Sequence, residues 1–419
     1  MNKENLYFKW TGKEWFFVIL YTLISFQFYN YTPLGSTMQK LPSFVIVPIM
    51  FIFCWKTFLL HSHNTFFKLV RCIIVITIVS IISAYVFKGQ SLVLGFRASA
   101  SFFVLLFYFY LYKRKPSLKS VELYIYILGL MYCLFWLYAL TQFPTPVFGG
   151  GSDGEMTEDL SRGFLRINFT GRLSLIFAYF LSINKAYDTR KKVYMFLAIM
   201  FFVFLVLQVT RQLILLTALV SIIYLFKKSK KLLFLSVICL LFIYILGASI
   251  KFDNNSIIGS MISLSEQQAN DFKSGEEDVR ITEYKYFFSE WPSNIVTNII
   301  GNGFPHADCN YGMYYENLKE RQMLFLSDVG YAKIYVVTGL IGLFLYIGLF
   351  LKSQSVRMPN HLMYAKMYML FLILANFTAD WYIKVDGQIA MSIAVYLMTI
   401  YSHHTRKPKK SIIYKSSIL

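Results

Sequence analysis

The chain has 419 residues, 57% of them hydrophobic, 19% aromatic and only 15% charged, with a formal net charge of +19. So few charges cannot cover a water-facing surface, which excludes a soluble globular domain and implies an all-α, polytopic membrane protein. A nucleic-acid role, which +19 would otherwise invite, is excluded because the basic residues stand in short clusters split by apolar runs and form no single stripe.

In chain order, Met1 to Trp15 shows no apolar run ending in a small-residue cleavage site, so the first helix reads as an uncleaved anchor. A span needs about 20 apolar residues. Runs of that kind lie near 15–31, 41–60, 69–87, 91–112, 121–143, 167–184, 192–209, 211–226, 232–250, 330–352, 361–379 and 387–402. About twelve transmembrane helices in a single membrane domain, 1–419, are expected. If these alternate, Lys113, Arg114, Lys115, Lys119, Arg190, Lys191, Lys192, Lys227, Lys228, Lys230, Lys231, Lys352, Arg357, Arg406, Lys407, Lys409 and Lys410 fall on one side. The positive-inside rule makes that side the cytoplasm, with both termini in it and with loops 144–166 and 251–329 outside.

The outer loop at 144–166 is glycine-rich, but its Gly149, Gly150 and Gly151 are not followed by the Gly-Lys-Ser/Thr of a phosphate-binding P-loop. Loop 251–329 is too long to be a mere connection and is expected to carry function. Cys54, Cys72, Cys133 and Cys239 lie within apolar runs and only Cys309 lies in that loop, so no disulfide framework is implied. No Cys/His set has zinc spacing, and neither a metal nor another cofactor is expected.

The residues that do not suit a plain bundle are arginines on the outer side. Arg97 lies about 9 Å inside its expected span. Arg172 has a similar expected depth, Arg162 and Arg166 just precede it, and Arg211 occupies a tight outer turn, Val209-Thr210-Arg211-Gln212. A guanidinium at the edge of hydrocarbon costs a few kcal/mol and is paired, snorkelling or functional. Several on one face suit the bidentate grip of a lipid-linked pyrophosphate.

These residues carry a resemblance. Arg162-Gly163-Phe164 leads into Asn168-Phe169-Thr170-Gly171-Arg172; Thr210-Arg211 joins two helices; Arg280 opens a segment ending at Gly301-Asn302-Gly303; and Ser327-Asp328-Val329-Gly330-Tyr331 feeds Thr338-Gly339-Leu340-Ile341-Gly342. In that order, from about Arg162 to Leu351, the chain resembles the Wzy-like polymerases of the bacterial O-antigen polymerase and ligase group. The resemblance implies a membrane glycosyltransferase of GT-C-like architecture with one large extracytoplasmic loop, sited in the bacterial cytoplasmic membrane. It implies metal-independent joining of undecaprenyl-pyrophosphate-linked glycans, one as donor and one as acceptor, with membrane lipid and a chain-length regulator protein as further partners. Arg172, Arg211 and Arg280 match the family's arginines. Ligase-type members carry His-Asn where this chain has Ser327-Asp328, a departure that favours a polymerase over an O-antigen ligase.

The expected catalytic residues are Asp328, Arg280 and Arg211, with Arg172, Arg166, Arg162, Arg97 and His306 binding substrate. Arginines stabilise the leaving pyrophosphate, and a carboxylate or imidazole takes the acceptor's proton. Asp328, His306 and Asp308 are the alternatives for that base; Asp328 and Ser327 also suit a helix N-cap. Asp380 and Asp386 fall on the outer turn as further sugar contacts. Tyr284, Tyr286, Tyr311, Tyr314 and Tyr315 suit either sugar stacking or an interfacial belt. The rival expectation is a flippase or transporter for a lipid-linked oligosaccharide, against which no half-to-half repeat is evident.

Overall fold

A computed structural model describes residues 48–142, 169–228 and 278–401 apart from Val209 and Ser293, with isolated positions between 11 and 21 and between 145 and 167. The span expected at 232–250, most of 15–31, residues 251–277 and Arg162 lie outside the described residues.

The described chain is helical apart from one short antiparallel pairing, in which Glu158 faces Ile167 and Asp159 faces Arg166. Its main helices are α1 Pro48–Leu59, α2 Thr65–Lys88, α3 Leu92–Ala98, α4 Phe107–Arg114, α5 Leu118–Gln142, α6 Arg172–Thr189, α7 Lys192–Leu207 and α8 Arg211–Lys228. There follow α9 Val279–Lys285, α10 Ile295–Ile300, α11 Asn310–Gln322, α12 Gly330–Ser355, α13 Met363–Ala375 and α14 Val385–Tyr401. Among the described residues, α2, α5 and α12 are long and apolar enough to cross a membrane. Their composition is apolar all round, as a helix needs when its outer face meets lipid. On α2, for example, Val75, Ile78, Ile82 and Val86 recur at helical spacing and are exposed on the face turned away from the core.

The ends of these helices follow from local chemistry. Asn64 accepts the N–H groups of Phe66 and Phe67 and starts α2, and Gly89, in the left-handed conformation, ends it. Gly171 turns the chain into α6, so Arg172 is the first helical residue and does not lie within a span that begins at 167. The single span expected near 91–112 is broken: α3 and the following 100–114 segment are bent by 66°. Arg97 therefore sits on a short arm. The span expected at 361–379 is α13, a helix of 13 residues.

Helix α12 is broken as well, at Gly339 (φ 69°, ψ −172°). Tyr331 and Phe350 would stand about 28 Å apart along a straight helix at 1.5 Å per residue. Their ring centroids are 6.5 Å apart, so the two arms fold back on each other, and residue 329 and Lys352, expected on opposite sides of the membrane, come to the same end of α12. Val336 and Val337, whose carbonyls the break frees, accept the N–H groups of Asn302 at 2.8 Å and Gly303 at 3.0 Å. The approach is so close that a Cβ on Gly301 would lie 2.1 Å from the Val337 oxygen, and one on Gly339 would lie 2.3 Å from the Ile299 oxygen. Only glycine satisfies both sides of this contact.

Gly339→Ala is accordingly expected to destabilise the protein by a few kcal/mol through overlap and left-handed strain. Gly348→Ala, where the nearest atom to the new methyl is a Leu69 carbon at 3.7 Å, should be neutral or slightly stabilising. Thermal unfolding of the detergent-solubilised variants measures both.

Candidate functional site

The connection between α13 and α14, residues 376–384, brings together the two halves of the expected site. Asp380, 3% exposed, pairs its Oδ2 with Lys333 Nζ at 2.5 Å, and Lys384 Nζ stands 3.9 Å from Oδ1. A lone buried carboxylate would cost several kcal/mol, so the lysines are what allow Asp380 to sit here ionised. Burial pushes its pKa up, but Lys333 and Lys384 outweigh that and hold it below the usual carboxylate range. The Asp380 N–H donates to Ser327 O at 2.9 Å, and a Cβ on Gly330 would meet Ala379 O at 2.4 Å. The Ser327-Asp328-Val329-Gly330 stretch is thereby fixed against the 376–384 connection.

On one side of this connection lie Arg172 and Arg211. Arg172, 8% exposed, places its guanidinium 5.1 Å from the centre of the Trp381 ring, and its Nη1 reaches Thr210 Oγ1 at 3.5 Å. Arg211 is the residue after Thr210 and the first of α8, so it stands next in the chain to the partner of Arg172. Asp386 Oδ2 accepts the N–H groups of Gly171 at 3.1 Å and Leu173 at 2.8 Å. It thus caps α6 where Gly171 has no side chain to do so. Asp380 and Asp386, expected as sugar contacts, are both engaged inside the protein.

On the other side lie Arg280, Glu283 and Asp328. Asp278 N-caps α9 by accepting the Arg280 N–H at 2.8 Å, and Arg280 is exposed. One turn later Glu283 is fully buried; its Oε1 accepts the Phe325 N–H at 2.8 Å, while Oε2 has no hydrogen-bond partner among the described residues. Burial is the main cause of a Glu283 pKa pushed up to about 7; the charge of Asp328 acts in the same direction, and the Phe325 N–H and Arg280 act against it. Asp328 is half-buried, with Ser327 Oγ donating to its Oδ1 at 3.2 Å. It is not the N-cap of α12: that position is Val329, and no side chain caps it. The helix leaving this cluster contains a π-helical turn, Tyr286–Glu290, a feature concentrated at functional sites.

Arg97 and His306 form a separate cluster. Arg97 pairs at 3.6 Å with Asp308, a largely exposed side chain, a contact worth under about 1 kcal/mol. Gln90 accepts the His306 N–H at 2.9 Å and donates to Phe304 O at 2.8 Å, tying loop 304–309 to the end of α2. Partial burial and Arg97 lower the His306 pKa against the pull of Asp308, so the ring is neutral near pH 7. Its Nδ1 accepts the Asp308 N–H at 3.2 Å, which assigns the ring proton to Nε2. Arg166 has its backbone in the short strand pair; its side chain and Arg162 lie outside the described residues. The outer-loop tyrosines divide: Tyr284 stacks on Phe288, and Tyr286 shares a hydrogen bond with Tyr314 at 2.8 Å. Tyr311, Tyr314 and Tyr315 pack around Trp291 in a small aromatic core.

Two residues of the site go unnoticed in an arginine-centred reading. Lys333 is an ionisable residue one turn into an apolar helix, the same signal that marks the arginines. Glu283 stands three residues after Arg280, on the same side of a helix. Comparison with models of known protein families and with characterised proteins returns no match to this chain.

Glu283 gives a pH signature. Its pKa is raised in the fold, so its ionisation costs stability: nothing below the ordinary value of 4.5, increasingly up to about 7, and fully above that. The wild type is expected to lose thermal stability as pH rises through this window. Glu283→Gln, which keeps an oxygen for the Phe325 N–H, should flatten that slope.

Proposed function

We propose that this chain is a polytopic membrane protein of about twelve spans that joins undecaprenyl-pyrophosphate-linked oligosaccharide units into a surface polysaccharide at the outer face of the bacterial cytoplasmic membrane. The observation that carries this reading is that residues 376–384 meet two groups: Arg172, which packs on Trp381 and reaches Thr210, and the Ser327–Gly330 stretch together with the segment that bears Arg280 and Glu283, whose Tyr284 hydroxyl donates to Phe377 O at 3.0 Å. Arginines beside a pair of carboxyls match the needs of glycosyl transfer from a pyrophosphate.

In this mechanism the pyrophosphate of the growing chain lies against Arg172, Arg211 and Arg280, which balance the charge left as the sugar C1–O bond breaks. The terminal sugar hydroxyl of a second lipid-linked unit attacks C1. Asp328, the more accessible carboxyl, takes the hydroxyl proton, and undecaprenyl pyrophosphate leaves. Glu283 acts behind it as a positioning residue: through the Phe325 N–H it holds the loop that carries Asp328 three residues later. Burial and the charge of Asp328 let Glu283 keep its proton to higher pH than a free carboxyl does.

A second reading, translocation of a lipid-linked oligosaccharide, is favoured by the two broken helices, the bend of 66° after α3 and the reversal at Gly339. Replacing the cell's own copy with Arg172→Ala, Arg211→Ala or Arg280→Ala separates the two readings. At equal membrane expression, long polymer should fall at least tenfold while single repeat units accumulate in the outer leaflet. Units retained in the inner leaflet would transfer the function to translocation, and unchanged polymer would remove the arginines from the mechanism.

A further inference from the structure

A groove of about 460 Å³ opens beside the arms of α12, within the usual size range of small-molecule sites. Its wall is built from helical faces. Tyr284 and Phe288 come from the α9 segment and stack on each other, with ring centroids 6.0 Å apart. Leu343, Ile347 and Leu351 recur every four residues along the second arm of α12, a stretch of about 12 Å. Ile373 of α13 and Phe377 of the connection after it close the far side. The folding back of α12 at Gly339 is what creates the space, because it brings Tyr331 of the first arm level with Phe350 of the second.

Two features identify the occupant. The first is that the groove opens outward: Leu351 is 63% exposed and Phe377 55%, so its rim faces whatever surrounds the bundle. Every lining residue is apolar or aromatic, and the bundle holds the helices α2 and α5, long and apolar enough to cross a membrane, so that surrounding is lipid. The second is charge at one end. Arg280 lies four residues before Tyr284 and so on the same face of α9, one turn from the groove wall, and it is exposed. The acidic Glu290 lies beyond Phe288 at the opposite end of the segment. An exposed guanidinium at one end of an apolar groove complements a molecule with an anionic head and a hydrocarbon tail.

We infer that this groove holds the polyisoprenoid tail of a lipid-linked pyrophosphate glycan, with the phosphate next to it at Arg280. The choice of an isoprenoid over a phospholipid acyl chain rests on the polymerase reading above; the groove, its polarity and its charged end do not. The rings of Tyr284, Phe288, Tyr331, Phe350 and Phe377 give the tail's methyl branches flat faces to pack on.

Photo-crosslinking of the full-length protein in phosphatidylethanolamine–phosphatidylglycerol vesicles tests the inference with two probes, a polyprenyl phosphate with a diazirine in its tail and a phosphatidylglycerol with a diazirine in its acyl chain. The expected result is polyprenyl labelling of the segments 343–351 and 373–377, competed away by undecaprenyl pyrophosphate. Ile347→Trp, which fills the groove, should lower that labelling at least tenfold, and Arg280→Ala should weaken competition by the pyrophosphate. Equal labelling by both probes without competition would make the groove an ordinary lipid contact and overturn the inference, as would labelling elsewhere in wild-type protein. The wild-type map needs no variant to fold. If polymer is lost in the arginine variants while the label maps elsewhere, the polymerase reading stands and the groove falls. Competed label in the groove with polymer unaffected by the arginine variants would support the groove and remove the polymerase reading.

Discussion

The break in α12 at Gly339 depends on one constraint: a carbonyl freed inside an apolar bundle must find another donor. Val336 and Val337 find theirs in the N–H groups of Asn302 and Gly303, and paired glycines let the two backbones approach closely enough. Three consequences follow from the reversal. It brings Lys333 to Asp380, so a buried carboxylate keeps its charge. It fixes the start of α12, and with it Ser327 and Asp328, against residues 376–384. It also opens the groove between the arms. A straight helix of the same 26 residues would cross a membrane and do none of these.

The site's electrostatics form a graded arrangement. Asp380 is held ionised by two lysines and Asp386 caps α6, so both carboxylates are engaged within the protein. Glu283, fully buried, is pushed up to about 7 chiefly by that burial, with the charge of Asp328 adding to it and Arg280 opposing it. The cations follow the same division of labour. Arg172 is packed on Trp381 and Lys333 is paired, whereas Arg280 is exposed at the end of the apolar groove. The buried Lys333–Asp380 pair fixes the scaffold, and in the proposed reaction Arg172, Arg211 and Arg280 are the cations left to the pyrophosphate.

Much of this was legible in the residues, for identifiable reasons. The helical class and the strongest apolar runs, such as 69–87 and 121–143, follow from composition and length, which act locally. The proximity of Arg172 to Thr210 and Arg211, and the meeting of Gly301-Asn302-Gly303 with Gly339, join motifs that looked weak one at a time. What could not be read was tertiary. Hydropathy sees a run of apolar residues and is blind to a reversal within it, so 330–352 and 91–112 looked like straight spans although both are broken. The depth assigned to Arg172 failed because Gly171 begins the helix later than the apolar run does. Glu283 and Lys333 gain their significance from partners 42 and 47 residues away, Phe325 and Asp380, which no local pattern announces.

The most direct test of the central claim is reconstitution of the purified protein in vesicles supplied with lipid-linked repeat units, with the product resolved by chain length. The account predicts a ladder of polymer that grows with time when the units are accessible to the face bearing Arg280, and that shrinks to single units with Arg211→Ala. Movement of intact units across the bilayer with no ladder, by wild-type protein, would contradict it.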